Sequence, residues 1–243
     1  MLKSIIIEGV DRLGKNSLID GIKNQLGFFQ VIHYQKPELL DVYLDSARRN
    51  LNRPDHSNDP SVLSAALNMY QRSSFFEMFE MLSTKTKYIM NRGHLGEVVY
   101  SPRYRKYSGD YVLDFMEKSF REDPNDSTSC INTTLLILLH TSSFDMIKDD
   151  GNSFDFDKKD EEQNDFVRAF EKSIIRHKIM IDINDGSGNF VPKDKILGVV
   201  IQAYKELESF EHQIMHVTWN KNEHDVLERN IYFQPDISKI IKE

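Results

Sequence analysis

Short apolar runs alternate with stretches of helical periodicity along most of the chain. The apolar runs predict five strands, at residues 4–8, 29–34, 88–90, 134–140 and 179–183. Apolar residues spaced by three or four positions predict helices at residues 15–26, 38–50, 61–84, 111–121, 165–176 and 193–207. Strands that alternate with helices indicate a mainly parallel, five-stranded sheet with helices on both faces, a three-layer α/β/α architecture.

Three segments do not fit this alternation. Residues 92–109 are basic and rich in tyrosine, and they predict an irregular segment. Residues 144–163 are strongly acidic and predict a mobile loop or lid, placed at about residues 145–163. The tail beyond residue 210 carries aromatic residues in polar surroundings. We therefore expect one domain at residues 1–210 and a C-terminal extension at residues 211–243 that packs on the sheet edge or on a partner subunit.

Composition narrows the class of protein. The 243 residues suffice for one large α/β domain, and a formal charge of −7 disfavours nucleic-acid binding through a broad basic surface. The single cysteine, Cys130, excludes an internal disulfide. No apolar run approaches the roughly 20 residues that span a bilayer, and no secretory signal begins the chain. The sequence predicts a soluble, cytoplasmic protein without a membrane partner.

A phosphate-binding loop joins the first strand to the first helix. Gly9 and Gly14 are separated by four residues and followed by Lys15, which matches the P-loop template in its required strand–loop–helix context. The glycines let backbone N–H groups approach a phosphate, the helix start adds about half a positive charge, and the lysine adds a full one. The fold is therefore predicted to be of the P-loop NTPase type. The predicted ATP-binding residues are Gly9, Val10, Asp11, Arg12, Leu13, Gly14, Lys15, Asn16 and Ser17.

Cationic residues from other elements are predicted to lie near this loop. Ligands of parallel sheets bind beyond the carboxyl ends of the strands, and these ends precede Lys36 and Arg92. Phosphoryl transfer needs positive charges around a donor and an acceptor phosphate, together with Mg²⁺. Arg12 and Lys15 would serve the donor, whereas Lys36, Arg72 and Arg92 would hold an acceptor phosphate. Asp11 is either a ligand for a sugar hydroxyl or a turn residue that bonds its own backbone.

Residues 9–15 resemble the P-loop of thymidylate kinases, in which an Asp and an Arg hold the positions of Asp11 and Arg12. Further landmarks follow in the same order: a basic residue and a proline after the second strand, a Gln-Arg pair in the long helix, and an Arg after the third strand. Residues 92–100 also resemble phage-type deoxynucleoside monophosphate kinases. The resemblance spans about residues 2–207. The residues that carry these landmarks are Lys36, Pro37, Gln71, Arg72, Asn91 and Arg92.

The resemblance implies an activity and a set of roles. The activity would be transfer of the ATP γ-phosphoryl group to a deoxynucleoside monophosphate, with dTMP as the default acceptor, Mg²⁺ as cofactor and a homodimer as the assembly. Lys15, Arg12 and Arg92 would be catalytic. In the family, a catalytic arginine comes from either the P-loop or the lid; the lid segment here contains no arginine, and Arg12 lies in the loop. The monophosphate would be bound by Asp11, Lys36, Arg72, Arg92, Glu97 and Tyr100.

Three positions depart from the family pattern. Asn16 replaces a Ser or Thr and Asn91 replaces an Asp, and both positions serve Mg²⁺ and its water shell in the family. Changing one such partner typically costs roughly 10–100-fold in affinity or activity, although Glu8 or Glu97 could compensate. Asn68 stands where the family stacks a Phe on the base. The side chains that could stack instead are Tyr70, Tyr100 and Tyr104.

These departures leave two alternatives to an active monophosphate kinase. One is a nucleotide-binding protein of the same fold with weakened catalysis, for which Asn16 and Asn91 argue. The other is a P-loop kinase that acts on a nucleoside or on a modified base in DNA. The acidic charge disfavours the DNA version, whereas the basic cluster of Arg103, Arg105 and Lys106 favours it.

Overall fold

The computed structural model describes residues 4–27, 29–33, 40–51, 60–120, 129–147, 156–206 and 213–236. The strands are β1 (Ser4–Glu8), β2 (Gln30–His33), β3 (Tyr88–Asn91), β4 (Thr134–His140), β5 (His177–Asp182), β6 (Gln213–Lys221) and β7 (Leu227–Pro235). The α-helices are α1 (Lys15–Leu26), α2 (Leu40–Asn50), α3 (Pro60–Ser83), α4 (Leu95–Tyr100), α5 (Cys130–Thr133), α6 (Lys159–Lys172) and α7 (Lys193–Glu206).

The strands form one seven-stranded sheet in the order β2-β3-β1-β4-β5-β6-β7. All neighbouring pairs are parallel except β6 and β7, which are antiparallel. The predicted three-layer, mainly parallel architecture is confirmed, but the predicted count of five strands is wrong. The two extra strands come from the C-terminal segment, where β6 extends the sheet beyond β5 and β7 becomes its edge.

The central strands of the sheet form the core of the protein. Their burial explains why their apolar runs are the clearest in the sequence. All five side chains of β1 are buried, and Leu135 to Leu138 of β4 are fully buried beside them. Strands covered by helices on both faces read as continuous apolar runs, so their bounds were predictable. Of the helices in the described part of the chain, none is long and apolar enough to cross a membrane.

Three predicted segments differ from the structure. The segment 92–109 is largely helical, because α4 runs directly into a π-helical stretch, Ser101–Arg105. The helix predicted at residues 111–121 has π-helical geometry over Val112–Glu117. Helix α6 begins at Lys159, six residues earlier than predicted, so the end of the predicted lid is regular helix. Residues 148–155 of that lid lie outside the described residues.

The C-terminal strands are fastened to the body by polar contacts. Trp219 on β6 donates from Nε1 to the carbonyl oxygen of Asp182, at 2.9 Å. Asp236, directly after β7, forms a buried ion pair with Lys178 of β5 at 3.0 Å. The Lys178 ammonium also donates to the carbonyl of Ser173 at 2.7 Å, beyond the end of α6. Strands β6 and β7 therefore belong to the same sheet, and β6 also contributes to its core.

Candidate active site

The loop between β1 and α1 has the backbone geometry that its glycines predict. Gly9 has φ 128° and Gly14 has φ 82°, and a Cβ on Gly9 would overlap the carbonyl oxygen of Leu139. The position of Gly9 therefore requires glycine, and the positive φ of Gly14 favours it. Helix α1 begins at Lys15 without a side-chain cap, so its first N–H groups remain available to an anion. Arg12 also adopts the left-handed region, with φ 73°.

Lys15 lies inside this loop. Its side chain is 6% exposed, and its ammonium donates to the carbonyl oxygens of Gly9 at 2.8 Å and Val10 at 2.6 Å. Burial, followed by the nearby Arg92 charge, lowers the pKa of Lys15 to about 8. An anionic phosphate in the loop would favour the charged ammonium and raise this pKa again.

Arg92 and Asp11 meet across the site, although 81 residues separate them in the chain. Strands β1 and β3 are neighbours, with Ile7 opposite Asn91, so Arg92 emerges beside the loop. The Arg92 guanidinium donates to the carboxylate of Asp11. Arg92 has φ 66°, and its N–H donates to the carbonyl oxygen of Ile7 at 2.9 Å. The structure thus brings the predicted Lys15, Asp11 and Arg92 together.

The two asparagines predicted to serve Mg²⁺ contact each other. The Asn91 Nδ2 donates to Asn16 Oδ1 at 2.7 Å and lies 2.8 Å from Nδ1 of His33, at the end of β2. This donor set fits an ion that arrives on nucleotide phosphates, since amide oxygens ligate Mg²⁺ or its water shell. It does not fit a cation held by the protein alone, because all three groups are neutral when His33 accepts the hydrogen bond.

Glu8 ends β1, directly before the P-loop, and its side chain contacts the start of α4. Its carboxylate is fully buried and accepts a hydrogen bond from the N–H of Leu95 at 2.9 Å. Burial raises the pKa of Glu8, against the opposing effects of His94, Lys15 and Arg92. Glu8 therefore ties the end of β1 to the start of α4 and fixes the spacing between the P-loop and Arg92.

Tyr100, Glu162 and Lys159 form a hydrogen-bonded group near Lys15. Of the three, the sequence analysis predicted only Tyr100 as a site residue. The Tyr100 hydroxyl donates to Glu162 at 2.9 Å, and the Lys159 ammonium lies 3.3 Å from the other Glu162 oxygen. Both Lys159 and Glu162 are buried, and the Glu162 charge acts on Lys15. Residues 159, 162, 166 and 170 are all buried at helical spacing. The sequence does not show this, because Lys159 and Glu162 are charged and give no apolar period.

Arg72 and Glu97 belong to a second group of residues. The Glu97 carboxylate is buried, accepts a hydrogen bond from the Tyr111 hydroxyl at 2.9 Å and pairs with Arg105. The Arg72 guanidinium lies over the Tyr111 ring, 4.1 Å from its centroid, and donates to Asn68 at 2.9 Å. The structure thus groups Arg72 with Glu97, whereas Arg92 is grouped with Lys15.

The remaining predicted residues are placed as follows. Lys36 lies outside the described residues. Tyr70 packs edge-on against Tyr43 of α2, at 5.5 Å between ring centroids, and Tyr43 in turn packs against a small separate cluster between α2 and α3. Tyr104 lies 6.0 Å from Tyr100 and is 38% exposed.

The basic cluster of the π-helical segment is partly neutralised. Arg103 pairs with Asp165 of α6, and Arg105 pairs with the buried Glu97. Each pair removes a positive charge from the field that a polyanion would meet. The surface is therefore less basic than the sequence of this segment indicates.

A pocket of about 260 Å³ opens beside the P-loop. On one side it is bounded by the loop and the first turn of α1, and on the other by the segment that joins β5 to α7. Phe190 is 44% exposed there, and Lys193 donates to the hydroxyl of Ser17 at 3.0 Å. The pocket thus offers an aromatic face and apolar walls next to a phosphate-binding loop. Its lining residues are Arg12, Leu13, Gly14, Ser17, Leu18, Leu139, Ile183, Phe190, Val191, Lys193 and Ile196.

Comparison with known proteins supports the fold. No protein-family model matches the chain, and no curated protein sequence matches it. A solved structure of the YorR protein from Bacillus subtilis, in complex with phosphorylated GDP, superposes with a TM-score of 0.51 and 17% identity, over 85% of this chain and 97% of that one. A thymidylate kinase from Candida albicans gives a TM-score of 0.49 and 12% identity, over 96% and 97% of the two chains.

The identity to YorR is low, so this likeness establishes the fold and leaves the substrate open. The looser superposition on the Candida enzyme adds nothing to the argument. Together with the P-loop and the strand order, the likeness to YorR confirms the predicted fold, a three-layer α/β/α architecture with a phosphate-binding loop after the first strand.

Proposed function

We propose that this protein is a nucleotide kinase that transfers the γ-phosphoryl group of ATP to a deoxynucleoside monophosphate, with dTMP as the default acceptor. One observation carries the proposal. Lys15, Arg92 and Asp11 come from two separate elements and converge on a glycine-bounded anion cradle at the end of β1. Phosphoryl transfer depends mainly on such positioning of charge.

The described residues suggest a division of roles. The P-loop N–H groups, Lys15 and Arg12 would hold the donor phosphates, and the 260 Å³ pocket with Phe190 would take the adenine. An oxygen of the acceptor phosphate would attack the γ-phosphorus, and the bond to the β-phosphate oxygen would break to release ADP. Arg92 would orient the acceptor phosphate. Arg92 would then release Asp11, and the freed carboxylate would accept a hydrogen bond from a sugar hydroxyl.

Mg²⁺ would enter with the ATP. Asn16 would offer an amide oxygen and Asn91 would bond the water shell, once the hydrogen bond between them is released. When bound, the ion supplies positive charge to the transferring phosphoryl group. The two asparagines would contribute only the placement of their amide groups around the ion, since neither brings a negative charge.

A coupled assay of ADP release tests the proposal. The panel contains ATP, Mg²⁺ and each of dTMP, dUMP, dCMP, dAMP and dGMP. It also contains GMP and GDP, because the YorR structure holds phosphorylated GDP. We expect saturable turnover with at least one deoxynucleoside monophosphate and its loss in Lys15→Met. Folded protein that turns over none of them would contradict the proposal.

The second candidate is a nucleotide-binding protein of the same fold with weakened catalysis. The contact of Asn16, Asn91 and His33 favours it, because amide groups stand at the two positions that the family resemblance assigns to Mg²⁺ and its water shell. Asn91→Asp distinguishes the two candidates. An active kinase should need roughly 10–100-fold less Mg²⁺ for half-maximal rate after this change. A weakened protein should bind ADP and stay near background turnover.

A matched control makes that experiment specific. Asn68→Asp places the same charge on α3, where Asn68 contacts Arg72 rather than Asn16. We expect it to leave the Mg²⁺ requirement unchanged. A large gain for Asn91→Asp over a measurable starting rate would exclude the weakened-catalysis candidate.

A further inference from the structure

Helices α1 and α7 pack closely beside the pocket next to the P-loop. A Cβ on Gly21 of α1 would lie 2.8 Å from a terminal carbon of Leu197 on α7, so the missing side chain at Gly21 lets the two helices approach. Four residues earlier on each helix, Ser17 and Lys193 share these facing sides, because positions four apart lie on one helix face. The Lys193 ammonium donates to the Ser17 hydroxyl at 3.0 Å. The packing of the two helices therefore places a cation at the first turn of α1.

Lys193 brings positive charge to the pocket. The Ser17 hydroxyl that it contacts is neutral, so this hydrogen bond does not compensate the charge of the ammonium. Among the described residues that line the pocket, the charged ones are Arg12 and Lys193, and both are cations. Most of the others are apolar, and Phe190 offers an aromatic face. The pocket therefore suits a ligand with a flat apolar part and a negative charge close to Ser17.

The position of Ser17 indicates which negative group of a nucleotide would reach Lys193. The N–H groups of a P-loop and of the helix start surround the α- and β-phosphates, and Ser17 is the third residue of that helix. A base beside Phe190 and a β-phosphate in the loop would leave the α-phosphate between them. Lys193 lies on the wall of the pocket at this point.

We propose that Lys193 binds the α-phosphate of the donor nucleotide and exchanges its hydrogen bond to Ser17 for one to a phosphate oxygen. This role rests on the nucleotide kinase function proposed above, and it adds a donor-binding residue from outside the P-loop. A hydrogen bond from an ammonium to a phosphate is stronger than one to a neutral hydroxyl, so the exchange is favourable. The α-phosphate is not the group transferred. Lys193 therefore stabilises bound ATP and the transition state equally, and it acts on KM rather than on kcat.

Calorimetric titration with ADP and with adenosine tests this role, since adenosine lacks the α-phosphate. We expect Lys193→Met to weaken ADP binding roughly 10-fold and adenosine binding by less than about 2-fold. Lys193→Arg keeps the charge and should retain the ADP affinity within about 3-fold. Lys195→Met is the matched control and should bind ADP as the wild type does. Lys195 is exposed on the same helix, but it donates to the carbonyl oxygen of Leu227 at 3.3 Å and does not line the pocket.

The two ligands separate failure of this role from failure of the proposed function. Wild-type protein that binds neither ATP nor ADP would overturn the kinase proposal, and the role of Lys193 with it. If the wild type binds ADP and Lys193→Met binds it as tightly as Lys195→Met does, the kinase proposal stands and the role of Lys193 is overturned. An equal loss of ADP and adenosine binding would also overturn it, because the lysine would then act on the base, the sugar or the packing of the helices.

Steady-state kinetics distinguishes a donor-binding lysine from one that only joins two helices. Lys193→Met should raise the KM for ATP roughly 10-fold and leave kcat within about 2-fold of the wild type. Because Lys193 is exposed, its melting temperature without ligand should match that of Lys195→Met. A lower kcat at unchanged KM, or a large loss of thermal stability in Lys193→Met alone, would contradict binding of the α-phosphate.

Discussion

At the scale of single residues, the protonation of Lys15 couples the P-loop to pH. Burial holds the pKa of Lys15 at about 8, below its usual 10.5. The unfolded chain therefore binds more protons than the folded one between these values. This group makes the unliganded protein more stable as pH rises from about 8 to 10.5. Nucleotide phosphates need the charged form, so ligand affinity should change with pH in the opposite direction.

We predict that ADP binding weakens as pH rises through about 8, because Lys15 then loses its proton. Lys15→Arg keeps its charge throughout this range and should flatten the dependence. Lys15→Met should lose most affinity at every pH and keep its fold. Calorimetric titration with ADP from about pH 7 to 9.5 measures this. A wild-type affinity that stays constant across the range would show that the ammonium does not titrate there.

The sequence predicts the residues of the P-loop, but not which side chains from other elements contact them. Gly9, Gly14 and Lys15 were predictable because they lie within one local motif whose spacing carries the chemistry. The contact of Asp11 with Arg92 depends on β3 lying beside β1, which only the fold supplies. Lys159 and Glu162 could not be predicted, because they are charged residues in an acidic stretch and only the packing of α6 buries them.

At the scale of elements, Gly109 sets how closely two segments pack. A Cβ at this position would lie 2.7 Å from the Cα of Val98 and overlap the carbonyl oxygen of Glu97, so the chain crosses directly over the backbone of α4. This crossing allows Tyr111 to reach Glu97. The π-helical stretches that follow α4 contribute to the same compact arrangement.

Gly109→Ala should therefore destabilise the protein by about 1–3 kcal/mol through overpacking, and lower the melting temperature by several degrees. Gly198→Ala is the matched control: Gly198 lies in α7, with no atom within 4 Å of its added Cβ. That change should stabilise by about 0.5–1 kcal/mol, since alanine favours helix. Thermal unfolding of both variants decides the matter, and equal melting temperatures would contradict the proposed crossing.

Several elements with a clear apolar pattern have the predicted bounds, whereas the exposed strand β7 was not predicted. Helix α1 and strands β1 and β4 have the predicted bounds, because burial imposes an apolar pattern on their sequence. Strand β7 is exposed on both faces and carries no alternation that would identify it. The stretch 92–109 was interpreted as irregular because polar and aromatic residues there hide the periodicity of α4.

At the scale of the whole molecule, one buried ion pair connects the end of the chain to the core. Burial lowers the pKa of Lys178, while Asp236 acts against that shift. The ammonium also donates to the carbonyls of Phe170 and Glu171, each at 3.2 Å, and to that of Ser173. The same lysine thus holds the end of α6, the start of β5 and the segment after β7.

Removing either partner alone should destabilise the protein strongly, because the other is left as an uncompensated buried charge. We expect about 3–5 kcal/mol for Lys178→Met or Asp236→Leu, and a smaller loss for the double variant. Lys118→Met is the control, since its pairing with Asp114 is mostly exposed and should contribute at most about 1 kcal/mol. Urea unfolding measures all four variants, and additive losses in the double variant would count against coupling of the pair.

The hydrogen bond from the indole of Trp219 to Asp182 places an intrinsic fluorophore close to the pocket. Trp219 is the only tryptophan, and Asp182 precedes the segment that forms one side of the pocket. A nucleotide base entering there should perturb indole emission without any added dye. Titration with ADP should shift the fluorescence, and Phe190→Ala should weaken the response. An emission spectrum that saturating ADP leaves unchanged would mean that the base binds elsewhere.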